Sequence, residues 1–110
     1  MMPGQEMPRG NAMPKAYWVG HVTVADPQAY EAYRQANARA FEKYGARFLV
    51  RGGGQEVVEG EMRPRCVVIE FADLATARAC YHSPEYQAAL ALRLPCSLAD
   101  IAIVEGYETA

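Results

Sequence analysis

The stretch Tyr44–Gly54, YGARFLVRGGG, constrains the fold more than any other, because a helix end, a strand and a joint follow one another without a gap. Gly45 suits the position just past a helix, where a left-handed backbone costs glycine nothing. Phe48, Leu49 and Val50 then form an apolar run between Arg47 and Arg51, and Gly52-Gly53-Gly54 releases the backbone. A helix before Gly45 and a strand after it make the second step of a small sandwich of sheet and helices.

The flanking sequence supplies the rest of that sandwich. Tyr17 to Val24 is aromatic and β-branched and reads as the first strand, with Tyr17, Val19, His21 and Thr23 on one face and Trp18, Gly20, Val22 and Val24 on the other. Asp26 and Pro27 match a helix cap and first helical position, and Tyr30, Tyr33, Asn37, Phe41 and Tyr44 recur at helical spacing, predicting about 27 Å of helix. Strand two is expected over Arg47–Arg51, to bend at the three glycines and to resume from Gln55 to Val58. Glu59–Pro64 then turns the hairpin into strand three, Arg65–Phe71. Asp73 caps a short helix through Tyr81, Ser83-Pro84 restarts or kinks it, and Pro95 ends it; strand four is read as Ile101–Tyr107.

The order strand, helix, strand, strand, helix, strand is the split βαβ arrangement of ferredoxin-like α+β folds, with an antiparallel sheet ordered 4-1-3-2 and both helices on one face. Strands one, three and four are apolar on both faces, so the face away from the helices needs a cover. A chain of 110 residues has no elements left to supply one, and a second copy is the expected partner, two sheets meeting face to face in a homodimer. Residues 15–110 are taken as this single domain. Residues 1–14, MMPGQEMPRGNAMP, carry three prolines, two glycines and no periodicity and are expected to be a disordered arm, with Met13 as the start that matters.

Composition narrows the function classes. A formal net charge of -2 and scattered lysines and arginines speak against a nucleic-acid or membrane-surface partner. No apolar run approaches the roughly 20 residues of a membrane span, and Cys66, Cys80 and Cys96 lack metal-site or disulfide spacing, which reads as reduced thiols in a cytoplasmic protein. No GxSxG, P-loop, GxGxxG or HExxH is present, and no cofactor or metal is expected. The triple glycine leads from strand to strand rather than into a helix, so it reads as a bend and not as a phosphate loop.

The candidate site residues are polar groups set inside apolar strands. His21 is a mid-strand histidine, read first as structural and second as the best available general base. Glu70 lies between Ile69 and Phe71, where a carboxylate needs a cationic partner, and Arg51 or Arg47 on the neighbouring strand are the cations within reach. In the structural reading the pair is only a tie; in the functional one Arg51 holds a carboxylate or enolate with its planar fork of donors. Tyr81, with Tyr30, Tyr33 and Tyr86, reads as core or as lining of a gap between helix and sheet.

The run Tyr44-Gly45 through Arg51-Gly52-Gly53, Val58-Glu59-Gly60, Arg65 to Phe71 and Tyr81-x-Ser83-Pro84-Glu85-Tyr86-Gln87 resemble the bacterial family catalogued as domain of unknown function 1330, over Lys15 to about Glu108. Ala46 and Ala72 stand where the family often has glycine and proline, which touches turns only. The resemblance implies the dimeric α/β-barrel superfamily, which includes cofactor-free monooxygenases and haem proteins; His21 is the only axial-ligand candidate, so haem is disfavoured. The leading expectation is a homodimer binding a small acidic or aromatic molecule between sheet and helices, with Arg51, His21, Glu70 and Tyr81 as ligand candidates. The alternatives are a cofactor-independent monooxygenase- or isomerase-like enzyme, with His21 abstracting a proton and Arg51 stabilising the oxyanion, and a structural or regulatory dimer without a pocket.

Overall fold

The computed structural model describes residues 14–107; the expected arm falls outside this range except for Pro14. Strand β1 (Ala16–Val24) leads into helix α1 (Pro27–Lys43), strand β2 (Arg47–Arg51), strand β3 (Arg65–Phe71), helices α2 (Leu74–His82) and α3 (Pro84–Arg93), a 3₁₀ turn (Leu94–Cys96) and strand β4 (Ser97–Glu105). The sheet order is β2-β3-β1-β4, with every neighbouring pair antiparallel. This is the ferredoxin-like βαββαβ arrangement. Among the described residues, no helix is long and apolar enough to cross a membrane.

The helix boundaries follow from local chemistry. Asp26 Oδ1 accepts from the N–H groups of Gln28 and Ala29, and α1 ends where Gly45 turns with φ +68°. Asp73 caps α2 through the Thr76 N–H at 2.8 Å. Ser83 closes α2 and opens α3: its Oγ–H donates to the Cys80 carbonyl while the oxygen accepts from the Tyr86 N–H, so the kink is a junction of two capped helices.

Two expected boundaries move. The chain does not return to strand after the glycines: residues 53–58 have no regular structure, and the excursion from Gly52 to Pro64 leaves Val57, Val58 and Met62 exposed. Strand four starts at Ser97, four residues early, because β1 offers a ladder partner to every residue from Val24↔Ser97 to Ala16↔Glu105. Asp100 is carried within that ladder because it points to the open side, where its carboxylate accepts from Arg63 Nε at 3.1 Å.

The helices cover one sheet face. Trp18 is the hub of the core, 3% exposed, with ring centroids of Phe41, Phe71, Tyr81 and Tyr86 at 4.9 to 5.5 Å and its Nε1–H donating to the Ala77 carbonyl. A tryptophan held this way contributes about 3–5 kcal/mol relative to alanine. On the other face, Tyr17, Val19, His21 and Thr23 of β1 are only half buried, and Val50 and Val104 are exposed.

Candidate ligand-binding site

The site lies where the helix-facing row of β1 meets α1. The helix-facing positions of β1 are Trp18, Gly20 and Val22, and Gly20 is flanked across the ladders by Val67 and Ile101. Gly20 borders a cavity of about 40 Å³ between sheet and α1, room for roughly two or three waters or a carboxylate, and the Ile101 side chain closes in on the glycine. Tyr30, Tyr33, Arg34, Asn37 and Phe41 form its roof, spaced along one face of α1, and Phe48, Ile69 and Ile101 help to wall it.

Its polar lining is one-signed. Arg34, Arg51, Arg65 and Arg93 all border the cavity, and no described lining residue is an aspartate or glutamate. Arg34 is compensated by Glu31 at 2.9 Å, whereas Arg65 and Arg93 have no carboxylate partner among the described residues. The Nε–H groups of Arg34, Arg65 and Arg93 are buried without an acceptor. Each is a buried donor that a hydrogen-bond acceptor entering the cavity could satisfy.

The backbone places each arginine in turn. β2 carries a bulge: Phe48 opposes Ile69 and Val50 opposes Val68, so Leu49 is an extra residue and Arg51 joins Phe48 on the helix side, its guanidinium 4.2 Å from the Phe48 ring centroid. Gly52, at φ +73°, leaves space that the Arg65 guanidinium occupies. Arg65 lies over the Tyr30 ring at 5.4 Å and Arg93 over the Tyr33 ring at 5.4 Å.

At the inner end, Tyr33 Oη lies 2.8 Å from Tyr86 Oη in a fully buried hydrogen bond, with the Arg93 guanidinium beside both. Burial, reinforced by Tyr33, pushes the Tyr86 hydroxyl far above its ordinary value, so it stays protonated. Burial likewise raises Tyr30.

Of the four expected ligand residues, only Arg51 reaches this cavity. Glu70 pairs with Arg47 at 3.9 Å and lies with Tyr17 on the open sheet face, so of the two cations in reach it was Arg47 that became its partner. His21 is on that same open face, level with Cys66 and Asp100, which separates it from Arg51 by the thickness of the sheet. Tyr81 packs edge-on to Trp18 and beside His82, away from the cavity. The residues that sequence reasoning missed are Arg34, Arg65 and Arg93. Arg93 did leave a signal: Tyr86, Ala89 and Arg93 are the buried positions of α3, a charge prolonging an apolar stripe at helical spacing.

A family model described as "Domain of unknown function (DUF1330)" matches residues 15–107. No curated protein matches the chain. Among solved structures, a protein of unknown function from Rhodopseudomonas palustris is similar at 16% identity and TM-score 0.67, covering 96% of this chain and 97% of that one. The cofactor-independent oxygenase SnoaB from Streptomyces nogalater is similar at 14% identity and TM-score 0.59, covering 87% and 96%. A dimeric protein of unknown function and ferredoxin-like fold from Bacteroides fragilis is similar at 14% identity and TM-score 0.57, covering 83% and 95%. At these identities the likeness is one of fold.

Proposed function

We propose, for a chain that belongs to the DUF1330 family, that it is a homodimer binding a small acidic molecule, the acidic group in the cavity between its sheet and helices and an apolar or aromatic body at the cavity mouth. The observation that carries this reading is the cavity wall itself, four guanidiniums with no aspartate or glutamate among the described lining residues, three of them with a buried Nε–H that has no described acceptor. A fold does not retain buried unpartnered donors for its own stability, since each costs about 1–3 kcal/mol. Aromatic and aliphatic walls exclude water and strengthen whatever anion–guanidinium contact forms. Binding is favoured over proton-abstraction chemistry because none of the described lining residues is a histidine, aspartate or glutamate.

The dimer is supported by the uncovered sheet face, where Val19, Val50, Val68 and Val104 stand half buried or exposed, and by the exposed Val57, Val58 and Met62 of the Gly52–Pro64 excursion. A cytoplasmic setting accords with three unpaired cysteines.

Isothermal titration of the protein with aromatic and short-chain carboxylates, each paired with its neutral amide, tests the ligand reading. At least one acid should give a saturable isotherm that its amide does not. No heat with any acid, or equal affinity for acid and amide, overturns it. Sedimentation at micromolar concentration tests the dimer, which a single 12.1 kDa species would refute.

A further inference from the structure

The inner end of the cavity differs from its rim. Arg51 is exposed at the rim, whereas Arg93 is 5% exposed, Tyr33 7% and Tyr86 fully buried. Arg93 has no carboxylate partner among the described residues, and its Nε–H has no acceptor. Two features make its charge tolerable without an anion. It sits in the last turn of α3, where the helix dipole favours a cation, and it lies over the electron-rich face of Tyr33.

The two tyrosines add a directional donor. Their hydroxyls carry two protons, and the 2.8 Å bond between them uses one. Tyr86 does not border the cavity and Tyr33 does. With Tyr86 donating to Tyr33, the remaining O–H belongs to Tyr33, the one of the two residues that borders the cavity. An anion there selects that arrangement, because each hydrogen bond in the chain polarises the next.

We propose that this end receives the carboxylate of an aromatic monoacid head first, with the Tyr33 hydroxyl as its hydrogen-bond donor, Arg93 as its counter-charge and Tyr86 as the residue that orients Tyr33. The inference rests on the acid-binding reading above and names the ligand class and its orientation. One charge is assigned to this end, because Arg93 is the guanidinium that lies beside both Tyr33 and Tyr86, whereas Arg65 stacks on Tyr30 and Arg51 on Phe48. The aromatic body follows from the rim, where the half-buried Phe48 ring and the exposed Arg51 guanidinium offer faces to another ring. The small inner volume suits a planar carboxylate and leaves the ring toward the rim at Arg51.

The test uses the full chain, labelled with ¹⁵N and titrated with benzoate, benzamide and phenyl phosphate, following the arginine Nε–Hε resonances. Benzoate is expected to saturate and to move the Arg93 resonance more than that of Arg51, with benzamide and phenyl phosphate at least tenfold weaker. Tyr33→Phe, which removes one oxygen, is expected to weaken benzoate at least fivefold, as loss of a hydrogen bond to a charged group does. Benzoate binding that leaves the Arg93 resonance unmoved, or that Tyr33→Phe weakens less than fivefold, overturns the inference while acid binding stands. Phenyl phosphate binding as tightly as benzoate also overturns it. Should none of the aromatic or short-chain acids bind the wild type, the acid-binding reading fails first and this inference with it. The wild-type resonances decide the matter even where a variant folds poorly.

Discussion

Arg93→Met separates a residue kept for a ligand from one kept for the fold. Removing one partner of a structural buried ion pair costs about 3–5 kcal/mol, because the other charge is stranded. Arg93 strands nothing: among the described residues it has no carboxylate partner, and its phenol neighbours remain bonded to each other at 2.8 Å. Methionine fills a similar unbranched volume with no polar atom to satisfy. The substitution removes a buried N–H without an acceptor, a gain of about 1–3 kcal/mol. Against this stand the stack over Tyr33, about 0.5–2 kcal/mol, and the charge at the end of α3, about 0.3–1 kcal/mol. These terms nearly cancel, so the unliganded variant should lie within about 1 kcal/mol of the wild type. Urea unfolding at fixed protein concentration measures the difference, with an unchanged m-value confirming that the same surface is exposed. A loss above about 3 kcal/mol at constant m would show that Arg93 is a structural tie and would remove the main argument for an anion at the inner end.

Two further outcomes follow from local geometry. Gly52→Ala forces alanine into a left-handed backbone at φ +73° and sets its Cβ against the Arg65 guanidinium, so it should cost about 1–2 kcal/mol and displace Arg65; Gly53→Ala, with open space around it, should change stability by less than about 0.5 kcal/mol in the same urea assay. Equal effects at the two glycines would refute the role given to Gly52. Burial, with a smaller push from Glu85, raises the Cys80 thiol to about 12, above an unfolded value of about 8.5. Its neutral form is therefore favoured by folding. That contribution is fully present below pH of about 8.5 and declines as pH rises toward about 12. Between pH 8.5 and 10.5 the wild type should lose stability more steeply than Cys80→Ala, and parallel slopes would refute the assignment.

The layout of the fold was readable because local signals agreed with one another. Asp26-Pro27, Asp73 and Ser83-Pro84 each join a capping oxygen to a helix start, and Gly45 supplies the left-handed stop, so element order and sheet order followed directly. The two boundary errors share a cause. Local composition placed the start of strand four at Ile101 and made Gln55–Val58 look like a strand, but a strand exists only where a neighbour offers a ladder. β1 extends past Asp100 and holds it, whereas Gln55–Val58 has no neighbour in register and stays irregular.

The site was less readable, because its decisive features are single-residue shifts that composition does not display. Alternation along β2 puts Arg47 and Arg51 on one side, so either could pair with Glu70. One extra residue at Leu49 sends Arg51 to the other face and leaves Glu70 to Arg47. His21 obeys the alternation and is carried to the open face by the same rule that puts Trp18 inside. The cavity brings together residues from β1, α1, β2, β3 and α3, a convergence that a search for reactive side chains along one strand passes over. Strand parity and burial would have improved the list of candidates. A charged residue on a buried helical stripe, as Arg93 is after Tyr86 and Ala89, costs free energy that a fold recovers only through a partner. Within the described chain Arg93 has tyrosine oxygens beside it and no carboxylate, and that unbalanced charge is what the proposed carboxylate ligand would meet.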